Sequence, residues 1–271
     1  MSSKAIDNLS PLATNVRLQS PDRYLATLFA PPACRDSLFA LYAFDHEIAR
    51  VQTIAQEPVA GLIRLQWWQD IVDGFKCGEA VAHPVVQELR RAVIEDGLDP
   101  AYLKRAIDGR RRPFEEDSLP DLEGFERHLS DIGGSVACAA ATLLGIGERE
   151  TLAVANRAGL VAAAWEQLHL LERSTPDRKP WLPAALLEGR ASEPGYQQDQ
   201  AATHRRFADW ALAELAETRR QGISIARPVL AAFFPATLAG LRLGNPARSY
   251  RQAILPTGAL MLVWCWLRGR F

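Results

Sequence analysis

Between Pro31 and Gly78 the chain has little choice of backbone. The stretch reads PPACRDSLFALYAFDHEIARVQTIAQEPVAGLIRLQWWQDIVDGFKCG. Pro32 suits a first helical turn, where the N–H it lacks has no partner in any case. Leu38, Leu41, Tyr42, Ile48 and Val51 then recur at helical spacing, and the run stops before Pro58. A second helix is predicted from near Glu57-Pro58, with Leu62, Leu65, Trp68, Ile71, Val72 and Phe75 on one side and Gly78 at its end.

The same reading extends along the chain. Ser20-Pro21-Asp22 caps a short helix to Phe29, and residues 1–18 before it are expected to be flexible. VVQELRRAVIED after His83-Pro84 and AYLKRAID after Asp99-Pro100 are two more helices. Asp121–Leu144 is rich in small residues, among them Gly133, Gly134, Ser135, Ala137 and Ala139 to Ala141, which lets another helix approach closely. Glu148–Arg173, Ala201–Gln221, Pro228–Leu243 and Tyr250–Leu267 complete the set. Pro176–Pro183 reads as a loop and Pro194–Gln198 as a turn. No segment alternates with period two between turn signals, and no repeat at solenoid spacing is present. The chain is therefore expected to be all-α, with residues 19–271 forming one helical bundle domain.

Composition removes several function classes. With 271 residues, 48% hydrophobic and 23% charged, the chain is an ordinary globular one, and its net charge of −1 gives no basis for binding nucleic acid. Arg110-Arg111-Arg112 is followed by Glu115-Glu116-Asp117 and reads as a charge-paired connection. Cys34, Cys77, Cys138 and Cys265 show no CxxC spacing and read as free thiols of a reducing compartment. No signal peptide is evident in MSSKAIDNLSP, and no window reaches the ~18 apolar residues of a spanning helix. A cytoplasmic location, peripheral to a membrane at most, is expected. Ala253–Leu267 is either a core helix or, through Trp264, Trp266, Arg268 and Arg270, a peripheral membrane contact.

Two stretches resemble the squalene/phytoene synthase family. Leu41-Tyr42-Ala43-Phe44 with the RLQWW helix from Arg64 to Trp68 is similar to the family's opening. Gln167-Leu168, Arg173 and Leu182-Pro183 are similar to its second motif, and Gly133–Val136 to a small-residue segment of its central bundle. The resemblance implies the helical bundle of the isoprenoid (class I terpenoid) synthases, which condense prenyl diphosphates using Mg²⁺ held by aspartates on two facing helices. In that pattern an arginine falls on His46 and aspartates on Ala49 and Thr53. In the second motif an asparagine falls on Leu170 and an aspartate on Ser174, and the spacing from Ser174 to Trp181 is about one turn short.

The wording Glu47-Ile48-Ala49-Arg50 and Arg173-Ser174-Thr175-Pro176 resembles a divergent branch that contains an assembly factor for respiratory complex I. Such a resemblance implies a non-catalytic assembly or scaffolding role with a respiratory-complex subunit as partner, and no cofactor. The old cavity would persist as a pocket lined by Tyr42, Phe44, Trp68 and Gln167, with Arg50 and Arg173 at its mouth and Arg64 nearby. Two alternatives stay open. One is a Mg²⁺-dependent prenyl transferase with relocated ligands among Asp45, Glu47, Asp70 and Asp73, converging with Glu166 or Glu172. The other is a carrier of an apolar isoprenoid or lipid. Asp70 and Asp73 otherwise make a solvated helix face, and Glu166 with His169 lacks the second copy that a di-metal site needs.

Overall fold

The structure is a computed structural model and describes residues 10–55, 57–75, 81–115, 121–172, 182–183, 185–186, 200–221, 224–244 and 257–271, with the side chains of 169–172 and 200–201 left aside. Twelve α-helices are found among these residues: α1 (Pro11–Gln19), α2 (Pro21–Thr27), α3 (Arg35–Ile54), α4 (Pro58–Gly74), α5 (Pro84–Ile94), α6 (Pro100–Glu115), α7 (Leu122–Leu129), α8 (Ser135–Leu143), α9 (Arg149–Glu172), α10 (Gln200–Arg220), α11 (Phe234–Leu243) and α12 (Thr257–Arg268). Short 3₁₀ turns, Pro32–Cys34 and Arg227–Ala232, lead into α3 and α11. No strand occurs among the described residues.

Proline sets many of the starts. Pro11, Pro21, Pro58, Pro84 and Pro100 are each the first residue of a helix, where φ is already right and no N–H is wasted. Side-chain caps add to this. Ser10 Oγ accepts from the Ala13 amide at 3.1 Å, and Asp121 Oδ1 accepts from the Gly124 amide at 2.7 Å. The capped α1 begins inside the segment expected to be flexible up to residue 18 and ends one residue beyond it. Leu12, Ala13 and Val16 on its inner face are buried against the core, and that burial holds the helix in place.

The bundle is organised around α3 and α9. Along α3, Leu38, Leu41, Tyr42, Phe44, Ile48 and Val51 are buried, and the helix packs against α1, α2, α4, α5, α6 and α8. Helix α9 packs against α8, α10 and α11, and against a single π-helical turn, Ser130–Gly134, that joins α7 to α8. Here the small residues are used. A Cβ built on Gly133 would lie 2.3 Å from the Gly159 carbonyl oxygen, and one built on Gly159 equally close to that of Gly133. Two helix backbones meet there with no room for a methyl group. Such π turns often mark a place where packing is tuned at some cost in backbone hydrogen bonding.

Candidate functional site

A cluster of four charged side chains, three of them buried and Glu166 half-buried, joins α3 to α9. Asp45 stands on α3 one turn before Ala49 and is fully buried. Arg23 of α2 donates to Asp45 Oδ2 and, through Nη2, to Glu166 Oε1 of α9 at 2.8 Å. Arg110 of α6 donates from Nη2 to Asp45 Oδ1 at 3.2 Å and lies 3.6 Å from Glu166 Oε2. The Arg23 guanidinium also sits 5.3 Å from the centre of the Tyr42 ring. Arg110 is 3% exposed and Arg23 7%, so both positive charges have left water and depend on these two carboxylates.

The electrostatics follow from that geometry. Burial alone pushes the Asp45 carboxyl up, but Arg23 and Arg110 together outweigh it and hold the group below the ordinary carboxylate range. Burial lowers the Arg23 guanidinium, and Asp45 and Glu166 more than reverse this, so it stays charged. Burial pushes the Tyr42 hydroxyl up to about 12, so it remains a neutral phenol. Two cations and two anions cancel, and the cluster is a closed ionic knot.

Beside the knot a crevice runs between α3, α8, α9 and α11. Tyr42, Gly133, Ala137, Gly159, Ala162 and Ala236 line it, and its free volume is about 10 Å³. That is room for one water at most.

A second, open cleft of about 280 Å³ lies between the C-terminal half of α3, the middle of α4 and His83. Val51, Ile54, Trp67 and Trp68 form its apolar wall, and Glu47, Arg50, Arg64 and His83 its polar rim. Glu47 and Arg50 pair at 3.2 Å. Arg64 is exposed and has no ion pair among the described residues. Trp68 is fixed by edge-to-face contacts with Phe44 at 5.3 Å and His83 at 5.5 Å.

The residues named from sequence therefore fall in different places. Glu47, Arg50, Arg64 and Trp68 gather at the open cleft, whereas Tyr42 belongs to the narrow crevice. Phe44 is packed in the core against Trp68, so the single pocket expected from Tyr42, Phe44, Trp68 and Gln167 is divided between two locations and the core. Gln167 is buried, and its Nε2 has no hydrogen-bond partner among the described residues. His46 is half-buried and its pKa is lowered by that burial. Ala49 is half-buried, and Thr53 is exposed at the end of α3, donating from Oγ1 to the Arg50 carbonyl at 2.8 Å. Leu170 is in α9, and Arg173 and Ser174 lie outside the described residues.

Of the carboxylates expected to converge, the Glu172 side chain lies outside the described residues; among the others only Asp45 and Glu166 meet, and Arg23 and Arg110 stand between them. Glu47 is held by Arg50, Asp70 accepts from Gln66 at 2.6 Å, and Asp73 is paired with Lys104 at the surface. These five carboxylates do not fit a divalent cation. Each is already held by a cation or an amide, and no group of three or more His, Cys, Asp or Glu gathers among the described residues. The arginine run is also corrected. Arg110 reaches Asp45 and Glu166, Arg111 reaches Gln66 and Arg112 reaches Asp131, so the run is a tertiary anchor on α6 and not a self-neutralised connection. Cys34, Cys138 and Cys265 are free thiols.

Known proteins place this architecture. A dehydrosqualene synthase solved with a ligand superposes with a TM-score of 0.75 at 16% identity, covering 95% of this chain and 94% of its own. A squalene synthase from Alicyclobacillus acidocaldarius superposes with a TM-score of 0.64 at 15% identity, covering 96% and 94%. The fold is thus that of the squalene and dehydrosqualene synthases. The sequence model of squalene/phytoene synthase matches residues 16–255, and the chain belongs to that family.

Among its relatives is the human "NADH dehydrogenase (ubiquinone) complex I, assembly factor 6", 26% identical over 187 residues, which are 68% of this chain and 56% of the human protein. The Drosophila melanogaster homologue of that factor is 36% identical over 114 residues, covering 38% and 34%. The chain thus spans little more than half the length of the human relative.

Proposed function

We propose that this chain is a non-catalytic member of the family, an assembly or scaffolding factor for a respiratory complex of the complex I type, with a subunit of that complex as its partner. The observation that carries the reading is the ionic knot beside a crevice with room for one water. Ionising an allylic diphosphate requires metal ions and free cationic groups that neutralise charge as it builds on the leaving oxygen. Here two buried cations, Arg23 and Arg110, are spent on Asp45 and Glu166, so neither they nor those carboxylates are free to hold a diphosphate or a metal ion. Ala49 and Thr53 carry no carboxylate where the family pattern has aspartates, and Leu170 and Ser174 stand at two polar positions of the second motif. The kinship with complex I assembly factors supports the partner class.

Deletion of the gene in the organism that encodes it, followed by native-gel separation of membranes stained for NADH oxidation, tests this. Loss of the assembled complex, restored by the wild-type chain, is expected. An unchanged amount of assembled complex refutes the role.

The open cleft favours one second reading. An apolar wall of Trp67, Trp68, Val51 and Ile54 under the unpaired Arg64 suits a ligand with an apolar body and an anionic head, held without chemistry. A thermal shift with farnesyl phosphate in the absence of metal, lost in Arg64→Glu, is the expected sign. No shift removes this reading and leaves the assembly role standing.

A further inference from the structure

Helix α12 is apolar on two sides. Gly258, Leu262 and Cys265 are buried toward α11 and the 3₁₀ turn at Arg227–Ala232. On the outer side Leu260, Val263, Trp264 and Leu267 are 68%, 44%, 52% and 58% exposed. Their spacing of three, four and seven residues puts all four on one face, an apolar stripe along the whole helix. A contiguous stripe of this kind on a surface marks a site that something else covers.

The charge around it says what. All 32 acidic residues of the chain lie at or before Glu217, and the 54 residues from Thr218 to Phe271 carry eight arginines and no acidic side chain. Arg242 is neutralised by Asp22 through two bonds of 2.8 Å, and Arg220 pairs with Glu217. Arg248 and Arg251 lie outside the described residues. Arg219, Arg227, Arg268 and Arg270 are exposed and have no ion pair among the described residues. Three of them lie over aromatic rings at this end of the molecule: Arg268 is 4.2 Å from the centre of Trp264, Arg227 is 5.5 Å from Trp266, and Arg219 is 6.0 Å from Phe271. Arg227 also donates to the Leu267 carbonyl at 3.1 Å, which fixes it beside the end of the stripe.

An apolar stripe with tryptophan at its edge and unpaired arginines around its end is the pattern of a helix lying in a lipid interface. The chain is net −1, so this concentration of positive charge is local and complementary to a negative surface. We propose that α12 docks on a bilayer containing anionic phospholipid, with Leu260, Val263, Trp264 and Leu267 in the acyl boundary and Arg219, Arg227, Arg268 and Arg270 on the lipid phosphates. The helix lies on the membrane and does not cross it. Among the described residues no helix is long and apolar enough to span. The proposal stands apart from the assembly role, since it rests on α12 and not on the ionic knot.

The test uses the full chain and sedimentation with vesicles of phosphatidylcholine alone, or with roughly 30% phosphatidylglycerol added. Wild-type protein is expected to sediment with the anionic vesicles, to stay in solution with the neutral ones and to be released as salt is raised. The double variant Leu260→Asp/Trp264→Asp, at exposed positions that leave the core intact, is expected to partition about ten-fold less or weaker still, with unchanged circular dichroism. Arg268→Gln is expected to lower binding to anionic vesicles about five-fold. Ile63→Asp, on the exposed face of α4, is expected to bind like the wild type. Failure of the wild type to bind, equal binding to neutral vesicles, or full binding by Leu260→Asp/Trp264→Asp overturns the proposal. So does a dimer in solution that the double variant dissociates, because the stripe would then be a contact between copies.

Discussion

Removing the Asp45 carboxylate tests the ionic knot most sharply. In Asp45→Ala, Arg23 and Arg110 remain 7% and 3% exposed and share the single carboxylate of Glu166. Breaking a buried pair in this way costs about 3–5 kcal/mol, because the stranded charge has lost both water and partner. For a chain of this size each kcal/mol is worth about 2–4 °C, so the melting temperature is expected to fall by roughly 6–20 °C. Thermal unfolding at pH 7 followed by circular dichroism reads it directly. The double variant Arg23→Met/Asp45→Leu is expected to be less damaged than the sum of its single changes, since no isolated charge is left between those two positions. The pH dependence has a definite sign. A carboxyl held below its ordinary value contributes stability that is fully present above about pH 4 and is lost as pH falls through the folded value. The gap between wild type and Asp45→Ala is therefore expected to persist down to about pH 4 and to narrow below it. A melting temperature within about 2 °C of wild type, the size of effect a conservative surface change gives, refutes the reasoning.

Three further outcomes are expected. Gly159→Ala brings a methyl to within 2.3 Å of the Gly133 carbonyl oxygen and 2.7 Å of Ala137, and urea unfolding is expected to show a loss of about 1–3 kcal/mol. His128 is buried, and burial first, then Arg110 and Arg112, lowers its pKa to about 3. Its neutral form is therefore favoured by folding, and the stability this gives is present above pH 6.5 and lost as pH falls, by roughly 2 kcal/mol at pH 5. His128→Gln is expected to flatten that slope. Trp68→Ala leaves a void between Phe44 and His83 and is expected to cost about 3–5 kcal/mol in urea unfolding, with the open cleft widened.

Much of the bundle was legible from proline and spacing. Pro58, Pro84 and Pro100 start helices where the periodicity begins, and Leu38, Leu41, Tyr42, Ile48 and Val51 of α3 with Leu65, Trp68 and Val72 of α4, read as one face, are buried in the core. The small residues near Gly133 announced a close helix contact, and Gly159 supplies the other half of it. Helix α1 was hidden because it is short and its apolar pair Leu12 and Val16 makes sense only against α3. The knot was hidden for a different reason. Arg23 and Asp45 are 22 residues apart in sequence, Arg110 and Asp45 are 65 apart, and Arg110 has two arginines beside it. Local sequence shows a charge and its neighbours, whereas burial and long-range pairing are properties of the fold. Only the position of Asp45, one turn before Ala49 on a helix otherwise apolar at its inner face, carried a signal. The split of charge at Glu217 was visible in the sequence but gains meaning only once α12 is seen to expose a stripe beside it.

The proposed non-catalytic role requires that this chain lack the family's chemistry. The measurement that meets it most directly is incubation of the purified protein with farnesyl diphosphate and with geranylgeranyl diphosphate in the presence of Mg²⁺, with released pyrophosphate quantified. No release above a protein-free control is expected. Release that depends on both protein and Mg²⁺ contradicts it, and means that the ionic knot opens to admit metal and substrate.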